Sequence, residues 1–227
     1  MQQCEFRSTH AAQRATNVTV PIPTPIYRFL HVANLRMYLD RRALHARNDG
    51  HTYRTIHNQE IQNQRRFRRI PCGPCGVIHD YVSFYFGPRS PMMLQLHTGR
   101  VEAYTEGQEP LVYLVSSAQR IEASGTPFVF SDGHGNAAYT SWHDDSRQLD
   151  QVDWGTVKAG YWADTMDDMD RQRRKQAEVL VHKKCDWALI ESIAVLNQET
   201  LDLVETVLSG FDPTLHRPVN IRRGWYY

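Results

Sequence analysis

The sequence predicts an α+β domain, and three observations carry that expectation. Apolar runs of strand length recur along the chain, amphipathic helical stretches are fewer and gathered early, and no internal repeat is present. At 227 residues, 41% hydrophobic and 22% charged, the chain has ordinary globular composition and is long enough to bury a core.

Residues 1–20 are polar and unpatterned and are expected to be a disordered extension. Pro21, Pro23 and Pro25 stiffen the lead into a strand over Ile26–His31. Asn34 opens a short helix with Leu35, Tyr38 and Leu39 on one face, and Asp49-Gly50 marks a turn. His57–Arg69 lacks proline and glycine, is rich in Gln and Arg, and predicts a helix ended by Pro71. Its apolar stripe is thin (Ile56, Ile61, Phe67), as in a helix that is solvated or holds an anion. Val82–Phe86 is a strand closed by Gly87-Pro88, and Leu111–Ser116 is an apolar strand expected to be buried on both faces. Phe128–Phe130 adds a short strand before the turn Asp132-Gly-His-Gly135.

Residues 132–176 are polar and poor in regular signals, and a loop of that length is usually functional. Ala177–Val181 and Ile193–Leu196 read as strands. Thr200–Leu208 is an amphipathic helix stopped by Gly210, and Val219–Tyr227 is expected to close as a final strand.

Net charge is +1 and names no partner, but only four of the 26 basic residues are lysine. Arginine is preferred where planar phosphate or base contacts are made, and is also enriched by codon bias. Cys72-Gly-Pro-Cys75 lacks the second pair that zinc needs and the strand–helix setting of a redox motif, so a structural turn is expected. His79-Asp80 is too few residues for a metal site. With no Walker A, GxGxxG, HExxH or GxSxG motif, the common nucleotide, dehydrogenase, zinc-protease and hydrolase readings fall away. No signal peptide or membrane span is visible, which together with few cysteines predicts a cytoplasmic protein that avoids membranes.

Glu178 is the most informative residue. It follows the basic run Arg171–Lys175 and opens an apolar strand, and a buried carboxylate is costly unless it is paired or does chemistry. The alternative is an edge-strand Glu paired with an exposed basic helix.

Several segments resemble one family. They are Pro25–Leu35, Ile61–Arg66, Gly76–Met92, Gln108–Ser117, Tyr161–Asp164 and Gln176–Val181, and the family they resemble is DarT, the DNA ADP-ribosyltransferase toxins of bacterial toxin–antitoxin pairs. The similarity runs from about Pro23 to the Trp-Tyr-Tyr ending. It implies a single ADP-ribosyltransferase-like domain over residues 21–227, α+β, with a central, mostly antiparallel split β-sheet and flanking helices. It also implies NAD as co-substrate, no metal, and single-stranded DNA as acceptor, with thymine the modified base. Guanine, RNA or protein acceptors, and an inactive nucleic-acid-binding relative, are the alternatives. A macrodomain antitoxin, DarG-like, that reverses the modification is the implied partner.

By this resemblance Glu178 matches the catalytic glutamate and Arg65 the catalytic arginine. A carboxylate beside the ribose stabilises an oxocarbenium-like state, and a guanidinium holds phosphates or polarises the acceptor base. Pro25, Ile26, Tyr27, Arg28, His31 and Asn34 are expected to line the NAD pocket, with Tyr85 and Phe86 stacking on nicotinamide. Histidine also occurs in the family where this chain has Arg28. For DNA, arginines that track the backbone and aromatics that stack on bases are expected. The candidates are Arg89, Ser90, Met92, His134, Tyr161, Trp162, Arg171, Arg173 and Arg174.

Overall fold

A computed structural model describes residues 19–50 and 53–227. The expected extension falls mostly on residues 1–18, outside the described residues. Val20 packs against the core.

The strands are β1 (Pro25–His31), β2 (Ala43–His45), β3 (Tyr81–Tyr85), β4 (Leu111–Ser117), β5 (Phe128–Ser131), β6 (Trp142–His143), β7 (Glu178–His182), β8 (Lys184–Asp186), β9 (Ser192–Val195) and β10 (Val219–Ile221). The helices are α1 (Leu35–Arg41), α2 (Gln59–Arg65), α3 (Pro91–His97), α4 (Ala118–Ala123), α5 (Trp154–Lys158), α6 (Arg171–Lys175) and α7 (Gln198–Ser209). Among the described residues, eight strands form one sheet in the order β10-β9-β4-β1-β3-β7-β5-β6, and β2 pairs with β8 beside it. All pairings are antiparallel except that of β9 and β10.

Both faces of the sheet are covered, so its strands read as apolar runs rather than as alternations. In β4, Val112 and Leu114 join one hydrophobic cluster while Leu111 and Tyr113 join another on the opposite face. The first cluster packs under α1 and α7 through Leu35, Leu39, Val204 and Leu208. The second is aromatic, and Tyr113 lies edge-on to Phe29, Trp225 and Tyr226 at 5.6, 5.8 and 5.3 Å between ring centres.

The split in the sheet positions the site. β1 pairs with β4 along its whole length, from Pro25↔Ser117 to His31↔Leu111. On its other side it meets β3, among the described residues, only at Tyr27↔Tyr85. Beyond that point the two strands part, and a cleft lies between Arg28–Leu30 and Ser83–Phe84. The Arg28 side chain reaches across, and Nη1 donates to the Ser83 carbonyl at 2.8 Å.

Three expectations are corrected. The helix expected over His57–Arg69 is α2 alone. It starts at Gln59 because the Asn58 side chain accepts from the Glu60 and Ile61 N–H groups. It ends at Arg65 because the chain then bridges Arg69↔Val77 around a turn at Cys72–Cys75. Phe67 is consequently exposed rather than part of an apolar stripe. The final strand stops at Ile221, and Arg223–Trp225 coils into a 3-10 turn that delivers Tyr226 to the aromatic cluster. Residues 132–176 are not irregular throughout. They hold β6, α5, α6 and a 3-10 stretch at Ser146–Gln151, with Asp145 and Asp153 side chains capping two of these.

Candidate active site

Glu178 is the first residue of β7, in register with Tyr85 of β3. Residues directly opposite one another share a face of the sheet. Tyr27, Tyr85 and Glu178 therefore stand in a row across three strands, with Ser83 two residues along from Tyr85 on the same face. The carboxylate is buried and paired, not with the neighbouring basic helix but with Arg65 from the end of α2. Arg65 Nη1 and Nη2 donate to Oε1 and Oε2 at 3.0 and 2.8 Å, and Nη2 also donates to Ser83 Oγ at 2.9 Å. Such a bidentate pair fixes geometry as well as charge. The Gly135 N–H adds a third donor, 3.1 Å from Oε1. Burial opposes the charge on Arg65, but the field and hydrogen bonds of Glu178 outweigh it and raise its pKa.

The pair lies in the wall of the cleft, which holds roughly 1210 Å³ of empty space, open solvent included. Arg28, Asn34, Arg47, Tyr53, Arg54, His57 and His79 line the remainder. Burial, followed by the field of Arg47, pushes His57 and His79 down to about 4, so both are neutral at pH 7. The cations among these residues are arginines. Arg54 is paired with Glu106, and Arg47 bonds the His57 ring at 2.8 Å. Arg28 Nε is buried and has no partner among the described residues. An anionic ligand would satisfy it. No group of three or more His, Cys, Asp or Glu residues suited to a metal occurs among the described residues.

The residues expected at the NAD pocket divide. Arg28, Asn34 and Tyr85 line the cleft, and Tyr85 stacks on Phe29 with ring centres 6.0 Å apart. Five others are turned elsewhere. Pro25 begins β1 beyond the split, and Ile26 is fully buried in the core on the far face. Tyr27 lies against Trp225 at 5.0 Å, in the aromatic cluster. His31 caps the turn after β1 and bonds Glu106 at 3.3 Å. Phe86 packs between Phe130 and Trp154. A strand's alternation sends neighbouring side chains to opposite faces, so a contiguous run could not all face one pocket.

The residues expected at DNA divide as well. Met92 and His134 line the cleft near Glu178, and burial lowers the His134 pKa. Arg171, half-buried, and the exposed Tyr161 form a pair outside the cleft lining, the guanidinium 5.9 Å from the ring centre. The others build structure. Ser90 caps α3, and Arg89 lies 4.6 Å over the Tyr227 ring. Trp162 Nε1 donates to Tyr227 Oη at 2.8 Å. Arg173 is taken up by Asp132 and Asp170 at 2.8 and 2.7 Å, and Arg174 by Asp153 and Asp168 at 3.1 and 2.5 Å. These two arginines fasten the 132–176 segment together and present little free charge to a phosphate.

Ser83, Gly135, Arg47 and His57 are not among the expected site residues, and His79 enters the expectations only with Asp80 as a metal pair. Ser83 and Gly135 carry no local signal, because each touches the pair only through strand register or loop approach. His79 has its polar partner in Gln62 at 3.1 Å. Cys72, Cys75 and Cys185 are free thiols.

Comparison with known proteins agrees with this geometry. A family model described as "ssDNA thymidine ADP-ribosyltransferase, DarT" matches residues 27–227. A DNA ADP-ribosyl transferase of Thermus sp. strain 2.9 is 44% identical over 92% of this chain and 99% of its own length. One from Escherichia coli O127:H6 is 34% identical over 89% and 93%. The structure of Thermus sp. 2.9 DarT in complex with ADP-ribosylated ssDNA superposes with a TM-score of 0.89 at 43% identity, covering 93% of this chain and all of that one. Its complex with NAD+ gives 0.85 at 41% identity, with 92% of this chain covered. With a matching family model over most of the chain and the same fold in close relatives, the chain belongs to the DarT family of single-stranded-DNA thymidine ADP-ribosyltransferases.

Proposed function

We propose that Glu178 and Arg65 are the catalytic residues with which this enzyme transfers ADP-ribose from NAD to thymidine in single-stranded DNA. The observation that carries the assignment is the buried, bidentate pair in the wall of a cleft that opens inside a sheet. NAD lies along the cleft with its pyrophosphate beside the arginines, where Arg28 Nε lacks a partner among the described residues. Tyr85 and Met92 flank the nicotinamide. The bond between ribose C1′ and the nicotinamide nitrogen breaks, and nicotinamide leaves neutral. The developing positive charge at the ribose is stabilised by Glu178. A bond from the acceptor base nitrogen to C1′ forms as the N–H proton of the base passes to the Glu178 carboxylate and from there to solvent. Arg65 holds the carboxylate in place and supplies positive charge toward phosphate or base.

The acceptor strand crosses the surface beside the cleft, where Tyr161, Tyr139 and Phe67 offer exposed rings and Arg66 an exposed guanidinium, with the half-buried Arg171 beside Tyr161. Such a surface suits unstacked bases. The activity is that of a growth-inhibiting toxin acting in the cytoplasm, opposed by a macrodomain protein that removes the ADP-ribose. No helix among the described residues is long and apolar enough to cross a membrane.

The test is mass spectrometry of thymine-containing and thymine-free single-stranded oligonucleotides incubated with NAD and the protein, with Glu178→Ala alongside. The expected result is an ADP-ribose mass addition confined to the thymine-containing strand and lost in the variant. Addition by Glu178→Ala at the wild-type rate would overturn the assignment. Removal of the adduct by a macrodomain hydrolase is the corresponding check on the partner.

A further inference from the structure

Among the described residues three donors hold the Glu178 carboxylate, and two come from Arg65. The third, the Gly135 N–H, belongs to a surface loop between β5 and β6 and needs something to hold it there. Among the described residues the loop is fastened to the end of α2 from two sides. Arg68 Nε donates to the Gly135 carbonyl at 3.1 Å, and its Nη2 donates to the Ala137 carbonyl at 2.7 Å. Asn136 Nδ2 donates to Gln64 Oε1 at 3.1 Å and to the Ile61 carbonyl at 3.3 Å.

We propose that Arg68 is a positioning residue for catalysis, clamping the Gly133–Ala138 loop so that the Gly135 N–H bonds Glu178. Arg68 follows Arg65 by three residues. One short stretch thereby supplies both the cation that grips the carboxylate and the clamp that brings its third donor. The peptide of Gly135 is held at both ends, its N–H side on Glu178 and its own carbonyl on Arg68. Arg68 does not line the cleft; His134 of the same loop does, but its own N–H is held by the Arg173 carbonyl at 2.9 Å, so the effect of Arg68 on NAD runs mainly through Gly135 and Glu178. The approach is close, since a Cβ at position 135 would stand 2.5 Å from Glu178 Oε1. A freed loop therefore removes a charge-assisted hydrogen bond and lets the carboxylate shift.

The inference rests on Glu178 as the catalytic carboxylate. Its test compares wild type, Arg68→Ala, Arg68→Lys and Glu178→Ala by steady-state transfer to a thymine-containing oligonucleotide. NAD titration calorimetry is run on each. A misplacement of about an ångström costs roughly 100-fold in rate, so Arg68→Ala is expected to lose kcat by that order. KM for NAD and the calorimetric Kd and stoichiometry stay at wild-type values. Unchanged stoichiometry shows that the variant is folded and its cleft intact, which a merely structural role would not give. Arg68→Lys, with one donor able to reach one carbonyl, recovers part of the loss. An active Glu178→Ala overturns the Glu178 assignment and this inference with it. An inactive Glu178→Ala beside an Arg68→Ala of wild-type kcat, or one whose loss lies wholly in NAD affinity or stoichiometry, overturns this inference alone.

Discussion

Replacing Glu178 with glutamine separates the charge of this side chain from its shape. Gln keeps the length and one carbonyl oxygen, so the Gly135 N–H and one Arg65 nitrogen retain a partner. The other Arg65 nitrogen, now 2.8 Å from Oε2, would face an amide N–H₂. Two consequences have different magnitudes. For the reaction, unit charges about 4 Å apart in an effective dielectric near 20 interact by about 4 kcal/mol. Losing that attraction at the ribose lowers kcat about 1000-fold, and the unbalanced charge of Arg65 adds to the loss. For stability, removing one partner of a buried pair costs about 3–5 kcal/mol. At this chain length each kcal/mol lowers Tm by about 2–4 °C, so a fall of about 6–20 °C is expected. The assay is kcat for oligonucleotide modification, measured well below the lowered Tm, together with a thermal melt. The double variant Arg65→Met/Glu178→Leu, with no unpaired charge, is expected to regain stability but not activity. A Glu178→Gln enzyme within tenfold of wild-type kcat, or with an unchanged Tm, would refute the reasoning.

Gly135→Ala places a methyl 2.5 Å from Glu178 Oε1 and 3.0 Å from Ile78 Cδ1, so kcat should fall at least about tenfold with NAD affinity retained. Stability should fall with acid between pH 6.5 and about 4. Unfolded His57 and His79 take up protons near pH 6.5, while in the fold they refuse them until about pH 4. The unfolded chain thus binds more protons in that window, and above it their contribution is constant. Melts of wild type and a His57→Gln/His79→Gln variant at pH 7 and 5 check this, and an equal drop in both would disprove it. Arg171→Ala with Tyr161→Ala should raise KM for the oligonucleotide about tenfold or more and flatten its salt dependence, leaving the Kd for NAD unchanged by calorimetry. An unchanged oligonucleotide KM would remove that surface from the DNA path.

The strands were legible because burial on both sheet faces leaves continuous apolar runs, as at Leu111–Ser117 and Phe128–Ser131. The helix at Gln198–Ser209 was legible from its apolar spacing. Ser90-Pro91 is a readable helix start, a cap followed by proline at the first turn, and that role rather than a DNA contact occupies the Ser90 hydroxyl. The ends of α2 and of the chain were not legible, because tertiary bonds at Arg69↔Val77 and the docking of Tyr226 end the regular structure there. Within the site, Glu178 and Arg65 stood out by their resemblance to a family pattern. Their contact spans 113 residues and depends on the register Tyr85↔Glu178, which no local pattern states. The same limit explains why Tyr27, His31 and Phe86 were grouped with the cleft. Proximity in sequence does not give a shared direction: Tyr27 keeps the face of Tyr85 but packs on Trp225, His31 caps the next turn, and strand alternation sends Phe86 to the opposite face.

The parting of β1 from β3 gives the sheet an edge in its own interior. Past Tyr27↔Tyr85, main-chain amides and carbonyls that would ordinarily be spent on a neighbouring strand are left facing the cleft, and a side chain, Arg28, has taken one of them. At an outer margin such an edge invites pairing with other chains. Here the edge lies inside the cleft, flanked by the strands on either side of it. Recognition that draws on these groups is written in backbone, which substitution of side chains does not erase. Relatives sharing about a third of their residues can keep such contacts while the rim around them changes.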